Sequence, residues 1–259
     1  MTEFWHGEDI PELEARRSCR ENTCYRPHTH DRVSIGFIDS GASTFRGPGD
    51  AAVRLLPGDV VVIPAGHVHA CNPDHGQWRY RMIHAVNDWM SEVAAPASRG
   101  VLDRVGVFRT PETAALFAEA TDLLFTGATR AQVETALGRV LEACAGAASI
   151  LAEPERPPLP AALGPVLDRL RNDPANPPLD DLARLAGMSK YQLIRTMKRS
   201  TGLSPLAWRH NQRVGRARTM LRAGYSVVDT AHALGFVDQS HFHRVFRAHV
   251  AAAPGAYRT

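Results

Sequence analysis

The sequence predicts a multidomain α+β protein, with a small β-barrel and two helices in its N-terminal part and an all-α C-terminal part. Three observations lead to this fold class. Short β-favouring stretches alternate with Gly, Pro and Asn clusters over residues 26–86, which is typical of an antiparallel barrel or sandwich. A proline-rich segment follows at residues 153–160, where each proline pushes the preceding residue away from helix. Beyond that segment, a helical pattern occurs twice.

These observations divide the chain into four regions. A chain of 259 residues is long enough for roughly two domains that each bury a core of their own. We predict a barrel over residues 1–90, a helical region over 91–152, a linker over 153–163 and the all-α domain over 164–259.

The predicted strands of the barrel are rich in β-branched and other apolar residues. They lie at Arg32–Ile38, Asp59–Ile63 and Trp78–Val86. The turn-forming clusters around them are Gly47–Gly49, Pro57–Asp59, Pro64–Gly66 and Asn72–Asp74.

Two helices with apolar stripes are predicted over residues 111–126 and 130–148. Thr110 stands before a proline, a pair that is typical of an N-cap followed by the first helical residue. Thr129 and Gln132 fit a capping box at the start of the second helix. The two helices either cover the barrel of a monomer or form a dimer interface, and their sequence is compatible with both.

The composition argues against a membrane-spanning or disordered chain. Hydrophobic residues make up 44% and charged residues 22%, as in globular proteins, and no run of about 18 apolar residues occurs. The N-terminus lacks the apolar core of a signal peptide, so we expect a cytoplasmic protein with no membrane partner. The cysteines are then expected to be reduced thiols; they are Cys19, Cys24, Cys71 and Cys144.

The net charge of +3 is unevenly distributed along the chain. Residues 160–259 hold 15 Lys and Arg against 6 Asp and Glu, a balance of +9, which leaves 15 against 21, or −6, for the rest. A basic C-terminal part predicts a polyanionic partner.

The C-terminal part contains two copies of one structural unit. Early positions match at a separation of 48 residues, as Gly187 and Gly235 do. Later positions match at a separation of 49: Leu193 with Phe242, Arg195 with Arg244, Met197 with Phe246, Lys198 with Arg247, and Pro205 with Pro254. The change from 48 to 49 predicts one extra residue in the second turn.

Each copy has the pattern of a helix-turn-helix. Gly187 and Gly235 can end the first helix of each copy, and Ser189 with Gln192 fits a capping box for the helix that follows. The residues predicted to pack are Leu179, Leu182, Ala183, Leu185, Leu193, Ile194 and Met197 in the first copy, and Val228, Ala231, Leu234, Phe242, Val245 and Phe246 in the second.

A single amphipathic helix over Ser204–Arg222 is predicted to join the copies. Its length of roughly 27 Å is compatible with the ~34 Å that separates successive major grooves on one face of DNA. The polar residues left exposed on the second helices are therefore predicted to bind duplex DNA: Lys190, Tyr191, Gln192, Arg195, Lys198, Gln239, Ser240, His243, Arg244 and Arg247.

The stretch Leu179–Thr259 resembles the DNA-binding domain of the AraC/XylS family of transcription regulators. The motifs that carry the resemblance are Gly187–Ser189, Gly202–Pro205, Arg213–Ala217, Leu234–Phe236, Asp238–Phe246 and Pro254–Arg258. Met197 replaces a usual aromatic residue, and Ala251–Ala253 replaces a usual Gly-Val-Thr. The resemblance implies a regulator, usually dimeric, that places both recognition helices in adjacent segments of the major groove.

Two N-terminal motifs, His28–His30 and Gly58–His69, resemble those of a cupin barrel, as in the effector-binding domain of the same family. The resemblance implies that His28, His30 and His69 point into the barrel, where three imidazoles suit Zn, Ni, Fe or Cu ions. Cys71 is a candidate fourth ligand, whereas the glutamate that metal-binding cupins usually carry is missing. A metal site and a polar pocket without metal both remain open, with Arg32, Trp78, Tyr80 and Arg81 as further candidates for lining the pocket.

Together these features predict a sequence-specific transcription regulator, cytoplasmic and nucleoid-associated. A small molecule or metal in the barrel is expected to control its DNA occupancy. The expected partners are a double-stranded DNA operator, a second copy of the chain and RNA polymerase. The alternative is a metal-dependent, oxygenase-like cupin enzyme with a helical appendage. No catalytic arrangement is evident elsewhere in the chain, so we expect no enzyme activity.

Overall fold

A computed structural model describes residues 2–21, 26–47, 52–74, 76–151, 159–250 and 252–257. Among the positions singled out above, Cys24, residues 48–49 and 153–158, Ala251 and Arg258 lie outside these ranges. The described residues form two compact units. One lies within residues 1–154, and the other comprises residues 155–259 with short stretches at 26–28 and 68–70.

The first unit is built on two antiparallel sheets. Its strands are β1 (Thr2–Gly7), β2 (Ile10–Glu21), β3 (Val33–Ser40), β4 (Ser43–Arg46), β5 (Ala52–Leu55), β6 (Val60–Ile63), β7 (Ala70–Pro73), β8 (Gln77–Ala85) and β9 (Gly106–Phe108). The large sheet has the order β1-β2-β8-β3-β6-β9, and the small sheet has the order β5-β4-β7. The three predicted strands are confirmed as β3, β6 and β8, with boundaries that differ by one or two residues.

The hairpin of β1 and β2 is a feature that the sequence analysis missed. Glu14 and Arg16 on β2 are buried although they are charged. Charged residues are rarely buried unless they are paired, so this stretch did not resemble a core strand.

The two faces of the large sheet differ in character. Ile35 and Phe37 of β3 belong to the apolar core beneath the helices. The neighbouring Ser34 lies opposite His84 of β8, which in turn lies opposite Glu14 of β2. Because side chains alternate along a strand, these polar residues share the face that is turned away from the helices.

Three helices cover the apolar face: α1 (Asn87–Val93), α2 (Pro111–Phe125) and α3 (Arg130–Gly146). The N-cap at Thr110 and the capping box of Thr129 with Gln132 are confirmed. The ring of Phe117 on α2 lies 5.8 Å from that of Phe37. The predicted helical region also contains β9, which pairs with β6, so residues on both sides of the predicted boundary at residue 90 share one core.

The C-terminal part of the second unit is helical, as predicted. Its helices are α4 (Gly164–Asn172), α5 (Leu179–Leu185), α6 (Lys190–Thr201), α7 (Pro205–Arg222), α8 (Val227–Ala233), α9 (Gln239–Val250) and α10 (Pro254–Tyr257). Helices α5 and α6 form the first helix-turn-helix and α8 and α9 the second, with left-handed glycines at both turns, Gly187 (φ 64°) and Gly235 (φ 67°).

Two residues predicted to pack, Leu185 and Val228, are exposed. At 100° per residue, each points roughly 110° away from the centre of the buried stripe of its short helix. The other predicted packing residues are buried or partly buried.

The predicted connecting helix is confirmed as α7, a single helix of 18 residues with Ser204 as its N-cap. Its buried face includes Trp208, Val214 and Leu221. Neither α7 nor any other helix in the described residues is long and apolar enough to cross a membrane.

Candidate functional site

The first recognition helix, α6, carries its predicted DNA-binding side chains on an exposed face. The hydroxyl of Ser189 accepts a hydrogen bond from the backbone N of Gln192 (3.2 Å), and the side-chain oxygen of Gln192 accepts one from the backbone N of Ser189 (2.9 Å). Leu193 and Met197 are buried on the opposite face. The exposed side chains are Lys190, Tyr191, Gln192, Arg195 and Lys198.

Several of these side chains already have neighbours within the helix-turn-helix. The Nζ atom of Lys190 lies 2.9 Å from Oδ1 of Asp180, which offsets part of its positive charge. The guanidinium of Arg195 lies 6.0 Å from the ring centroid of Tyr191, a residue that is 73% exposed. Arg195 and Tyr191 therefore present one continuous cationic and aromatic surface to solvent.

The second recognition helix, α9, begins differently. The carboxylate of Asp238 accepts a hydrogen bond from the backbone N of His241 (2.6 Å), so that an acidic side chain occupies the position that Ser189 has in the first copy. The ring of His241 packs 5.5 Å from that of Phe236. Of the residues predicted to bind DNA, Gln239, Ser240, Arg244 and Arg247 are exposed and His243 is partly exposed.

The extra residue that the repeat predicted is Val237. It lies between Phe236, the counterpart of Met188, and Asp238, the counterpart of Ser189. Its side chain is 87% exposed at the entrance to α9. The change in repeat separation from 48 to 49 showed that the second turn contains one extra residue. The matching cap positions, Ser189 and Asp238, identify that residue as Val237.

The residues predicted to line the effector pocket do not all lie on the same face of the large sheet. Trp78 and Tyr80 are buried, and their rings stack with centroids 4.3 Å apart. Arg81 has the opposite orientation on β8, where it pairs with Asp39 (2.8 Å) and Asp122 (2.7 Å), so it does not lie beside Trp78 and Tyr80. Arg32 precedes β3 and donates to the carbonyl of Glu12 (2.9 Å).

Arg16 and His84 are residues that the sequence analysis missed on this polar face. The guanidinium of Arg16 lies 5.1 Å from the ring centroid of Tyr80. The Nδ1 atom of His84 lies 2.7 Å from the hydroxyl of Ser34, and its ring lies 4.4 Å from that of His30. His84 could have been identified from the sequence, because it lies an even number of positions from Trp78 and Tyr80 on a predicted strand and so shares their face. Arg16 could not, because no local pattern indicated that β2 is a strand.

The structure brings the three predicted histidines together. His28 and His69 form a single antiparallel bridge with N···O distances of 3.0 and 2.9 Å. The potential ligand atoms of His28, His30 and His69 all lie within 4.8 Å of one another. The Nδ1 atom of His28 lies 2.7 Å from the carbonyl oxygen of Arg26, which favours a proton on Nδ1 and a lone pair on Nε2. Three imidazoles of this kind fit a Zn, Ni, Fe or Cu ion.

Among the described residues, the cluster of potential metal ligands consists of the three histidines and does not include Cys71. Burial raises the pKa of its thiol to about 12, although nearby Arg16 acts in the opposite direction. In the part of the chain that it describes, the structure groups only the three histidines as potential ligands, so its geometry does not support Cys71 as the fourth ligand.

Two family models match the chain. The model described as an AraC-like ligand binding domain matches residues 10–143, and the one described as a helix-turn-helix domain matches residues 182–259. The first match spans more than half of the chain, and the two together contain every residue predicted above to bind DNA, metal or effector.

Relatives and solved structures agree with these matches. The HTH-type transcriptional regulator YbfI of Bacillus subtilis is 28% identical over 83% of this chain and 80% of its own length. The arabinose operon regulatory protein of Salmonella typhimurium is 23% identical over 78% and 75%. The crystal structure of ToxT from Vibrio cholerae covers 95% of this chain and 96% of its own, with 12% identity and a TM-score of 0.57, and thus shares the fold.

The two helix-turn-helix motifs and the β-rich ligand-binding unit define a DNA-binding transcription regulator with an N-terminal ligand-binding domain. The chain belongs to the AraC family of transcription regulators.

Proposed function

We propose that this regulator recognises its operator through α6 and α9, and that a ligand held by its N-terminal unit changes operator occupancy. The observation that carries the proposal is the exposed row of polar and basic side chains on each recognition helix, in two copies joined by α7. The basic charge balance of the C-terminal part supports it, since cations neutralise phosphates.

Within each recognition helix we assign early residues to base edges and later ones to phosphates. Arg195 and Arg244 match each other in the repeat and can read guanine with two hydrogen bonds. Lys198 and Arg247, one turn further along, are assigned to phosphates. The exposed Val237 is suited to contact the methyl group of a thymine.

The first experiment measures affinity for a duplex selected from a random library by the full-length wild-type protein. Arg195→Ala and Arg244→Ala are each expected to weaken binding by about 5- to 150-fold and to relax the sequence preference at one position. Arg104→Ala, which removes an exposed arginine from the first unit, is the matched control. Unchanged binding by both recognition-helix variants would contradict the proposal.

The effector is assigned to the polar face of the large sheet, where Trp78, Tyr80 and Arg16 lie together. The matched ligand-binding model covers this face. The buried Nε1 atom of Trp78 has no hydrogen-bond acceptor in the described residues, so an acceptor on a ligand would satisfy it. Because a crystal structure of ToxT from Vibrio cholerae has an unsaturated fatty acid bound, an unsaturated fatty acid is the first probe.

Binding of this probe is to be titrated with and without the selected duplex. A ligand that favours one state must change operator affinity by the same factor as the operator changes ligand affinity, typically by 1–3 kcal/mol. Trp78→Phe keeps the ring but removes the donor, so it is expected to bind the probe more weakly. Equal probe affinities with and without DNA would remove the allosteric part of the proposal.

The same proposal includes dimer formation through α2 and α3. It also includes a cytoplasmic location, where the regulator binds operators on the nucleoid and recruits RNA polymerase. A groove between these helices is lined by Ala115, Leu116 and Ala143 together with charged residues, which are Glu112, Glu119, Arg139 and Glu142. Leu116→Asp is expected to lower the dimer fraction in sedimentation equilibrium, with Glu92→Ala on α1 as a control.

A second candidate function is metal-dependent regulation, favoured by the clustered nitrogens of His28, His30 and His69. A bound ion would supply a Lewis-acidic centre for an effector, and the Arg26 carbonyl would orient His28 towards it. Elemental analysis of the purified protein, paired with DNA binding before and after chelation, tests this function. Stoichiometric metal that is lost in His69→Ala would support it, and a metal-free protein with full DNA binding would refute it.

We propose regulation without catalysis, because the relatives are transcription regulators. An oxygenase-like enzyme would keep its activity when Arg195 and Arg244 are replaced, whereas a regulator loses its function with its DNA binding.

A further inference from the structure

Helix α7 does more than join the two helix-turn-helix motifs, because its arginines hold both of them. Arg209 is only 1% exposed. Its Nη1 donates to the carbonyl of Leu170 (2.9 Å), and its Nη2 donates to the carbonyl of Asp173 (2.6 Å). Its Nη2 also donates to the next two carbonyls, of Pro174 (3.2 Å) and Ala175 (2.5 Å). Arg209 therefore fixes the loop between α4 and α5, and with it the first helix-turn-helix, onto α7.

Arg213, one turn further along α7, reaches both motifs at once. Its Nη2 donates to the carbonyl of Pro174 (3.0 Å) in the loop before α5, and its Nη1 donates to the carbonyl of Gly235 (3.1 Å) in the second turn. The guanidinium carbon lies 5.4 Å from the ring centroid of Phe236. One planar side chain thus ties the loop that precedes the first motif to the turn that precedes the second recognition helix.

The two backbone segments are also close to each other at this point. A Cβ atom on Gly235 would lie 2.6 Å from the carbonyl oxygen of Pro174 and 2.9 Å from Nη2 of Arg213. Only glycine fits there, both for space and for its left-handed φ of 67°. Arg213 therefore fills a junction that has little freedom to rearrange around a smaller side chain.

The chemistry of the junction requires an arginine. Burial and the neighbouring Arg209 lower the pKa of Arg213 to about 10, so that the guanidinium stays charged at neutral pH. Its two nitrogens point in fixed directions and satisfy two carbonyls in different segments. A lysine keeps the charge but donates from a single nitrogen, and an alanine leaves both carbonyls without this donor.

We propose that Arg213 is a positioning residue that fixes the relative placement of α6 and α9, and thereby the spacing between the two DNA segments that the protein accepts. This inference rests on the proposed recognition of DNA by both helices. Arg213 contacts the backbone of both motifs, and it is not itself assigned to DNA.

The test uses the full-length protein and duplexes derived from the library-selected operator. One or two base pairs are inserted or removed between the segments bound by the two helices. The wild-type protein is expected to prefer the original spacing by at least about tenfold, since a misplaced helix loses its base contacts. Arg213→Ala is expected to reduce this ratio to about threefold or less, and Arg213→Lys to give an intermediate ratio.

Arg216→Ala is the matched control, because it removes an exposed charge from the same helix and should keep the wild-type ratio. Arg213→Lys supplies the same comparison if the alanine variant does not fold. An unchanged spacing ratio in the folded Arg213 variants, with affinity lowered equally for every duplex, would overturn the inference. Failure of the proposed function has a different signature, in which the wild-type protein itself shows no preference for the selected sequence.

Discussion

Ser189 and Gln192 exchange hydrogen bonds in both directions at the first turn of α6. The exchange satisfies two backbone donors that a helix N-terminus otherwise leaves unpaired. It also engages the side-chain oxygen of Gln192, so that its amide NH₂ group is the part left for a base. The same interaction therefore caps the recognition helix and limits Gln192 to contacts in which its side chain donates a hydrogen bond to a base.

Replacing Ser189 by alanine is expected to lower the free energy of unfolding by about 1 kcal/mol, because the N-cap is lost. Urea denaturation followed by circular dichroism measures this change. Ser200→Ala, at the other end of α6, is the control and should cost less than half as much. Equal effects of the two substitutions would show that the cap contributes little.

Replacing Lys198 by alanine is expected to weaken binding to all duplexes by a similar factor, because its assigned partner is a phosphate. The slope of log affinity against log salt concentration should fall by about one. Binding titrations at several salt concentrations, with selected and random duplexes, measure both effects. A loss confined to the selected duplex would instead place Lys198 on a base edge.

Replacing Arg209 by alanine is expected to destabilise the protein by about 2–4 kcal/mol, because the buried carbonyl of Leu170 and three partly buried carbonyls lose a charged donor. Arg216→Ala on the same helix is expected to change stability by about 0.5 kcal/mol or less, as exposed substitutions do. Chemical denaturation of both variants gives the comparison. Similar stabilities would mean that water replaces the guanidinium at the end of α4.

Acidification is expected to destabilise the protein through His210. Burial, together with the nearby His249, lowers the pKa of His210 to about 4. The unfolded chain therefore takes up a proton below about pH 6.5 that the folded protein does not bind. The free energy of unfolding should fall from about pH 6.5 towards pH 4, and less steeply in His210→Gln. Denaturation at pH 7.5, 6 and 5 tests this, and identical pH profiles would contradict it.

The helix-turn-helix repeat could be predicted from the sequence because its determinants are local. The turn at Gly187, the cap at Ser189 and the buried stripe of α6 each depend on residues within a few positions of one another. The insertion in the second turn was also visible in the sequence, as the change in repeat separation.

The candidate ligand site was only partly predictable. The spacing of His28 and His30 and the resemblance to a cupin barrel pointed to His69, and the three histidines do cluster. The burial of Arg16 and His84 and the outward pairing of Arg81 depend instead on which strands become neighbours in the large sheet. Strand pairing brings together residues far apart in the chain, and no local pattern encodes it.

The sequence by itself determined the two-part organisation, the paired helix-turn-helix motifs and the exposed recognition residues, because short-range hydrogen bonds and helical periodicity specify them. Only the tertiary structure decided that Arg213 links Pro174 to Gly235, residues that are 39 and 22 positions away from it along the chain. Such a link forms only when α7 packs against both motifs, because it joins residues that are far apart in the chain and that no local pattern relates.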